Sequence, residues 1–154
     1  MADSVKVEII GANQAAAKFY NLNKLQEFAV SQAIIQSSLR IETDAKRRAP
    51  SDLGFLRSGI ITRILQNGFV AEIAATKEYS GDIEYGTKPH MPAASDLQGW
   101  AARHGMPGLE YLIARGINLR GTKAQPFLIP AWTAEQPDFI NAMQKVCKDL
   151  ESGG

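Results

Sequence analysis

Apolar and polar residues alternate with period two along Val5-Lys6-Val7-Glu8-Ile9, which predicts a half-buried strand ended by Gly11. The alanine-rich run Ala12–Tyr20 reads as one or two helical turns. Asn23 and Gln26 have capping-box spacing. The chain beyond them, to about Ala49, sets Leu25, Phe28, Ala29, Ile35, Leu39 and Ala45 on a helical stripe. Such a helix is about 39 Å long, and Pro50 stops it. Ser51–Gly54 is a turn. Gly59–Leu65 and Phe69–Ala75 are apolar-rich runs joined by Gln66-Asn67-Gly68, which predicts an antiparallel hairpin. Tyr79–Tyr85 reads as a short helix or a third strand. Pro89 and Pro92 bracket a loop. Ala94–Arg103, carrying Leu97 and Trp100, reads as a helix broken at His104–Gly108. Leu109–Leu119 has apolar Leu109, Leu112, Ile113 and Ile117 at helical spacing, with Gly121 as its stop. Gln125–Ile129 reads as extended. Pro130 suits the first turn of a last helix, reaching about Leu150 with an interruption near Pro137. The predicted class is α+β: a long N-terminal helix and a C-terminal helix packed on a small, mainly antiparallel sheet. The expected organisation is one domain over 1–154, with a globular core at 5–150 and a loose tail at 151–154.

Composition narrows the classes of function. The chain has 154 residues, 45% hydrophobic and 21% charged, enough apolar content for a core. No apolar run approaches the ~20 residues that span a bilayer, so no membrane partner is expected. Met1-Ala2-Asp3-Ser4 does not open a signal peptide. The lone Cys147 excludes an internal disulfide and a cysteine-based zinc site, and a reducing cytoplasm is the expected folding environment.

Net charge is +1, but its distribution is uneven. Residues 40–63 are basic, through Arg40, Lys46, Arg47, Arg48, Arg57 and Arg63. Residues 64–102 are acidic, through Glu72, Glu78, Asp82, Glu84 and Asp96, and residues 103–123 are basic again. Alternating blocks suit docking against a second copy or a neighbour, and they also suit an ordinary mixed surface. The densest basic run, Lys46-Arg47-Arg48, lies at the predicted end of the long helix, where cations complement the dipole. Its alternative role is a basic surface facing nucleic acid or an acidic neighbour.

Catalytic chemistry finds little to stand on. His90 and His104 are the only histidines, and no nucleophile triad can be placed around them. No GxGxxG, GxxxxGK[ST] or HExxH pattern occurs. Asp82, Glu84 and His90 are close enough in sequence to be weighed as metal ligands, but a solvated acidic edge is the better reading. Glu72 and Lys77 do not share a strand face, so they do not form a nuclease pair. No catalytic, metal or cofactor residue is assigned.

Three segments carry a resemblance. Residues 45–60, AKRRAPSDLGFLRSGI, resemble a helix end, turn and strand start of the form AP-x-[DT]-x-G-x-LR-x-S-I. Residues 79–87, YSGDIEYGT, resemble YA-x-x-[VI]-E-[FY]-GT. Residues 120–131, RGTKAQPFLIPA, resemble G-T-x-x-x-PFL-x-PA. In this order they resemble the tail-completion, or head–tail joining (neck, connector), proteins of tailed bacteriophages and prophages, over roughly residues 5–150. Leu53 stands where that pattern has threonine, and residues 91–108 correspond to a variable insertion.

The resemblance implies a structural virion protein rather than an enzyme. It would form a homo-oligomeric ring of six subunits, or alternatively twelve. The ring would complete the tail or join it to the head connector and leave a channel for DNA. The implied partners are the head connector or adaptor and the tail tube or tail terminator proteins, with weak non-specific contact to passing DNA. The implied location is the virion neck, reached through assembly in the host cytoplasm. The motif or interface candidates are Asp52, Gly54, Leu56, Arg57, Glu84, Tyr85, Gly86, Thr87, Pro126, Phe127 and Leu128. The channel-facing basic candidates are Lys46, Arg47 and Arg48. Phe127 and Tyr85 fit the core as well as an interface, since large apolar residues usually sit inside. The competing classes are a small phage-encoded hydrolase (nuclease or cell-wall enzyme) and a generic oligomeric host adaptor.

Overall fold

A computed structural model describes residues 5–10 and 24–152. The expected turns at Ala12–Tyr20 and the Asn23–Gln26 cap involve residues outside this range. In chain order the elements are β1 (Lys6–Ile10), α1 (Lys24–Arg48), α2 (Phe55–Ser58), β2 (Ile60–Leu65), β3 (Val70–Ala75), α3 (Ser80–Tyr85), α4 (Ala94–Arg103), α5 (Glu110–Arg120) and α6 (Leu128–Ser152). The class is α+β, with the long helices α1 and α6 packed together over a small antiparallel sheet.

The sheet runs β1-β3-β2, with Lys6 opposite Ala74 and Ile60 opposite Ala75. β3 is central and almost wholly buried, and its small residues Ala71, Ala74 and Ala75 let the helices approach the sheet. The β2–β3 connection is a single tight turn, Gln66–Gly68, in which Gln66, Asn67 and Gly68 all have positive φ. That is why Asn-Gly marks the position. Glu72 lies between Lys6 (2.8 Å) and Arg63 (3.7 Å), pairing across both edges.

The stripe expected on α1 is met only in part: Ala45 is buried and Ala29 and Ile35 are half-buried, but its largest members face outward. The buried positions are Val30, Ser31, Ile34, Ser37, Ser38, Ile41 and Ala45, while Leu25, Phe28 and Leu39 are exposed. The helix carries two apolar seams. The one with serines is buried because small side chains permit close packing, and their hydroxyls are satisfied locally. Ser31 donates to the Phe28 carbonyl and Ser38 to that of Ile35.

Opposite it, α6 presents Leu128, Ala131, Glu135, Phe139 and Val146 at intervals of three, four and seven, the spacing of one helical face. Arg40 reaches across to Glu135 at 2.6 Å and ties the two helices. α6 is continuous through Pro137, so the expected interruption is absent, and it extends to Ser152 in place of a loose tail from 151. Pro137 is exposed, so the carbonyl it leaves unbonded is free to bond water.

Tyr79–Tyr85 resolves as a helix, and β1 supplies the third strand. The 91–108 segment supplies α4 and the first part of a helical hairpin that α5 completes.

Candidate functional site

The three motif segments converge at one junction. Helix α6 begins there, and its first backbone N–H groups have no partner within the helix. Glu84, 2% exposed on α3, supplies one from outside. One carboxylate oxygen accepts from Phe127 N (2.8 Å) and Leu128 N (2.9 Å), and the other from Ile129 N (2.9 Å). Pro130 follows and has no N–H to satisfy. The carboxylate also faces the positive end of the helix dipole. The conjunction of Glu84 with Pro126-Phe127-Leu128 is therefore a helix cap built between two distant segments.

The two Gly-Thr pairs form the second tie. Thr87 and Thr122 make an isolated antiparallel bridge, with Thr87 N donating to Thr122 O (3.2 Å) and to its hydroxyl (3.0 Å). Thr122 N donates in return to the Thr87 hydroxyl at 3.0 Å. Gly86 has φ 73° and Gly121 has φ 71°. A Cβ on Gly86 would lie 2.5 Å from the Thr122 carbonyl oxygen, and one on Gly121 would lie 1.9 Å from that of Thr87. The backbones can approach this closely only without side chains. The bridge closes the base of the α4–α5 hairpin.

The remaining motif residues surround this point. Arg57 donates from Nε to the Ala49 carbonyl (3.0 Å), so it caps the end of α1. Gly54, φ 79°, starts α2, and Leu56 is buried beside Ile60 in the core. Asp52 is exposed and takes a two-pronged contact from Arg103 of α4, with Nε 2.9 Å from Oδ1. The guanidinium holds the Asp52 carboxyl below the usual carboxylate range. Phe127 and Leu128 are fully buried, Pro126 is exposed, and Tyr85 is 64% exposed. The two large aromatics thus divide, Phe127 into the core and Tyr85 onto the surface.

An open cleft of about 650 Å³ lies between the 50–56 turn, α3, α4 and the 122–125 segment. Leu53, Phe55 and Trp100 give it an apolar wall, and Asp82, His90 and Lys123 border it. Trp100 stacks on His104 with ring centroids 4.1 Å apart. Asp82 opens on this cleft, whereas Glu84 turns its carboxylate to α6, so the pair weighed as metal ligands is split. Among the described residues no group of three or more His, Cys, Asp or Glu is placed to hold a metal ion.

The basic run is paired within its own helix, three cations against two carboxylates. Lys46 pairs with Glu42 at 2.5 Å, Arg48 with Asp44 at 2.7 Å, and Arg47 lies 3.8 Å from Asp44. Arg47 keeps the most exposed side chain, 76%, and points to solvent at the end of α1.

Sequence reasoning left Arg103 and Thr122 out of the candidate residues. Arg103 meets a carboxylate 51 residues away, and no local pattern marks it. Thr122 carried a usable signal, because the dipeptide Gly86-Thr87 recurs at Gly121-Thr122. Comparison with known proteins finds no matching family profile, no curated relative and no similar solved structure. No helix among the described residues is long and apolar enough to cross a membrane.

Proposed function

We propose that this chain is a structural virion protein of the phage neck or the head-proximal tail end. Assembled as a ring of six, or alternatively twelve, it would complete the tail or join it to the head connector around a DNA channel. One observation supports this reading most. The segments that resemble the neck family meet at a single junction, and their polar residues serve as caps and bridges there. Glu84 caps α6, Arg57 caps α1, and Thr87 bridges Thr122. Motif residues spent on architecture suit an assembly protein, whose surfaces must be held in fixed relation.

The test is solution mass by light scattering over a concentration series, with negative-stain imaging of the same sample and a pull-down against the head connector and tail tube. Rings of about six or twelve subunits that bind either neighbour are the expected result. A chain that binds neither neighbour and cleaves DNA with magnesium or manganese would overturn it in favour of the hydrolase.

A further inference from the structure

The hairpin carries a helix face that the rest of the chain leaves open. On α5, Tyr111, Arg115 and Leu119 follow one another at intervals of four, with Leu112 seven residues before Leu119. Tyr111, Leu112 and Leu119 are each about three-fifths exposed, and Arg115 stands among them. Arg120 extends the positive charge to the helix end. A second open face lies on and just before α3. There Glu78, Tyr79, Asp82 and Tyr85 are all exposed, with Glu78, Asp82 and Tyr85 at intervals of four and three.

None of Arg115, Arg120, Glu78 or Asp82 takes part in an ion pair among the described residues. The other basic cluster, Lys46–Arg48, is by contrast paired within its own helix. One face therefore offers two cations around an aromatic and two leucines. The other offers two anions around two tyrosines.

We infer that α5 of one copy docks on the Glu78–Tyr85 face of a second copy, placing Arg115 and Arg120 against Glu78 and Asp82 over a contact of tyrosine and leucine. The inference rests on the ring reading and names the surfaces that make it. The two faces differ, so the contact is heterologous and repeats from copy to copy, as a ring requires. The opposite charges set partner and register, and the apolar residues supply the burial that holds the contact. DNA is the poorer occupant for α5, because a phosphate backbone is met by cations and polar groups rather than by leucines.

A charge-swap experiment on the full chain tests this, using sedimentation equilibrium. One variant carries Arg115→Glu with Arg120→Glu, and the other carries Glu78→Lys with Asp82→Lys. Each alone brings like charges together and should weaken self-association by about tenfold or more. Mixed one to one, they present acid to base at every contact and should recover the wild-type association. Recovery also excludes misfolding as the cause of the single losses.

Wild-type association in either variant overturns the contact while leaving the ring reading intact. So does a mixture that fails to recover. A wild-type chain that stays monomeric throughout also overturns it, and connector binding then decides the neck reading separately. Duplex DNA binding that is lost with Arg115→Glu and Arg120→Glu while self-association stays unchanged assigns the face to DNA, against the inference.

Discussion

Glu84 stands 43 residues before the first backbone N–H it binds. Its surroundings make the carboxylate specific, since both oxygens accept from backbone N–H groups of the helix start. Glu84→Gln keeps the shape but turns an NH2 toward a helix N-terminus that offers only donors. A cost of about 2–3 kcal/mol is expected in urea unfolding, the range for lost charge-assisted bonds with a buried donor left over. A cost below about 0.5 kcal/mol would mean that the cap contributes little. Two glycines make a paired test of the bridge. Gly121→Ala forces a Cβ into the Thr87 carbonyl at a φ of 71°, and should cost at least about 2 kcal/mol. Gly116→Ala, inside α5 with its nearest neighbour 3.9 Å away, should instead raise stability by up to about 1 kcal/mol. Thermal melts of the two variants therefore move in opposite directions. Residue types at this scale were legible in the sequence as motif letters. Their partners were not, because a glutamate that caps a helix and one that lies on an acidic edge look alike until the fold brings Phe127 to Glu84.

Element boundaries were legible wherever a local rule decides them. Pro50 ended α1, Asn67-Gly68 marked the hairpin turn, and Gly121 ended α5. The buried face of α1 was misread in part because apolar count favours the seam with Leu25, Phe28 and Leu39, whereas close packing against α6, the sheet and the hairpin turn, where Ser31 meets Gly68, selects the seam with Ser31, Ser37 and Ser38. Pro137 was misread because, at an exposed position inside a long helix, the carbonyl that loses its partner can bond water. The link between α4 and the 50–54 turn has a consequence in pH. Arg103 depresses the Asp52 pKa, so the ionised carboxylate favours the docked arrangement. That contribution is fully present above the unfolded value of about 3.9 and is lost as pH falls through the lower folded value. A carboxyl-carbon NMR titration of Asp52 should show a midpoint below the usual aspartate value, and Arg103→Gln should bring it back up. An Asp52 midpoint that ignores Arg103→Gln would remove the pair as a tie between α4 and the turn. The link is solvent-exposed, so global stability should change little across the same range.

At the scale of the whole molecule, and on the proposed ring reading, a charge reversal at the basic end of α1 should separate folding from assembly. Reversing Arg47 and Arg48 to Glu breaks their pairings with Asp44 and places negative charge at the negative end of the helix dipole. Pair loss and dipole repulsion at exposed positions sum to about 1–3 kcal/mol. A domain of this size has roughly 5–15 kcal/mol to lose before it unfolds. The double variant should therefore fold, with circular dichroism close to wild type and a small downward shift in melting. If the chain forms the proposed neck ring and this end of α1 faces its channel or a neighbouring subunit, the same change turns attraction into repulsion at every copy, because symmetry repeats each charge at each contact. Phage yield should then fall sharply while the purified monomer remains intact. Normal yield from the Arg47→Glu, Arg48→Glu phage would exclude the basic end of α1 from both surfaces. The Asp44 and Glu42 pairings would then account for this run, and the charges that matter to assembly would be those on α5 and α3.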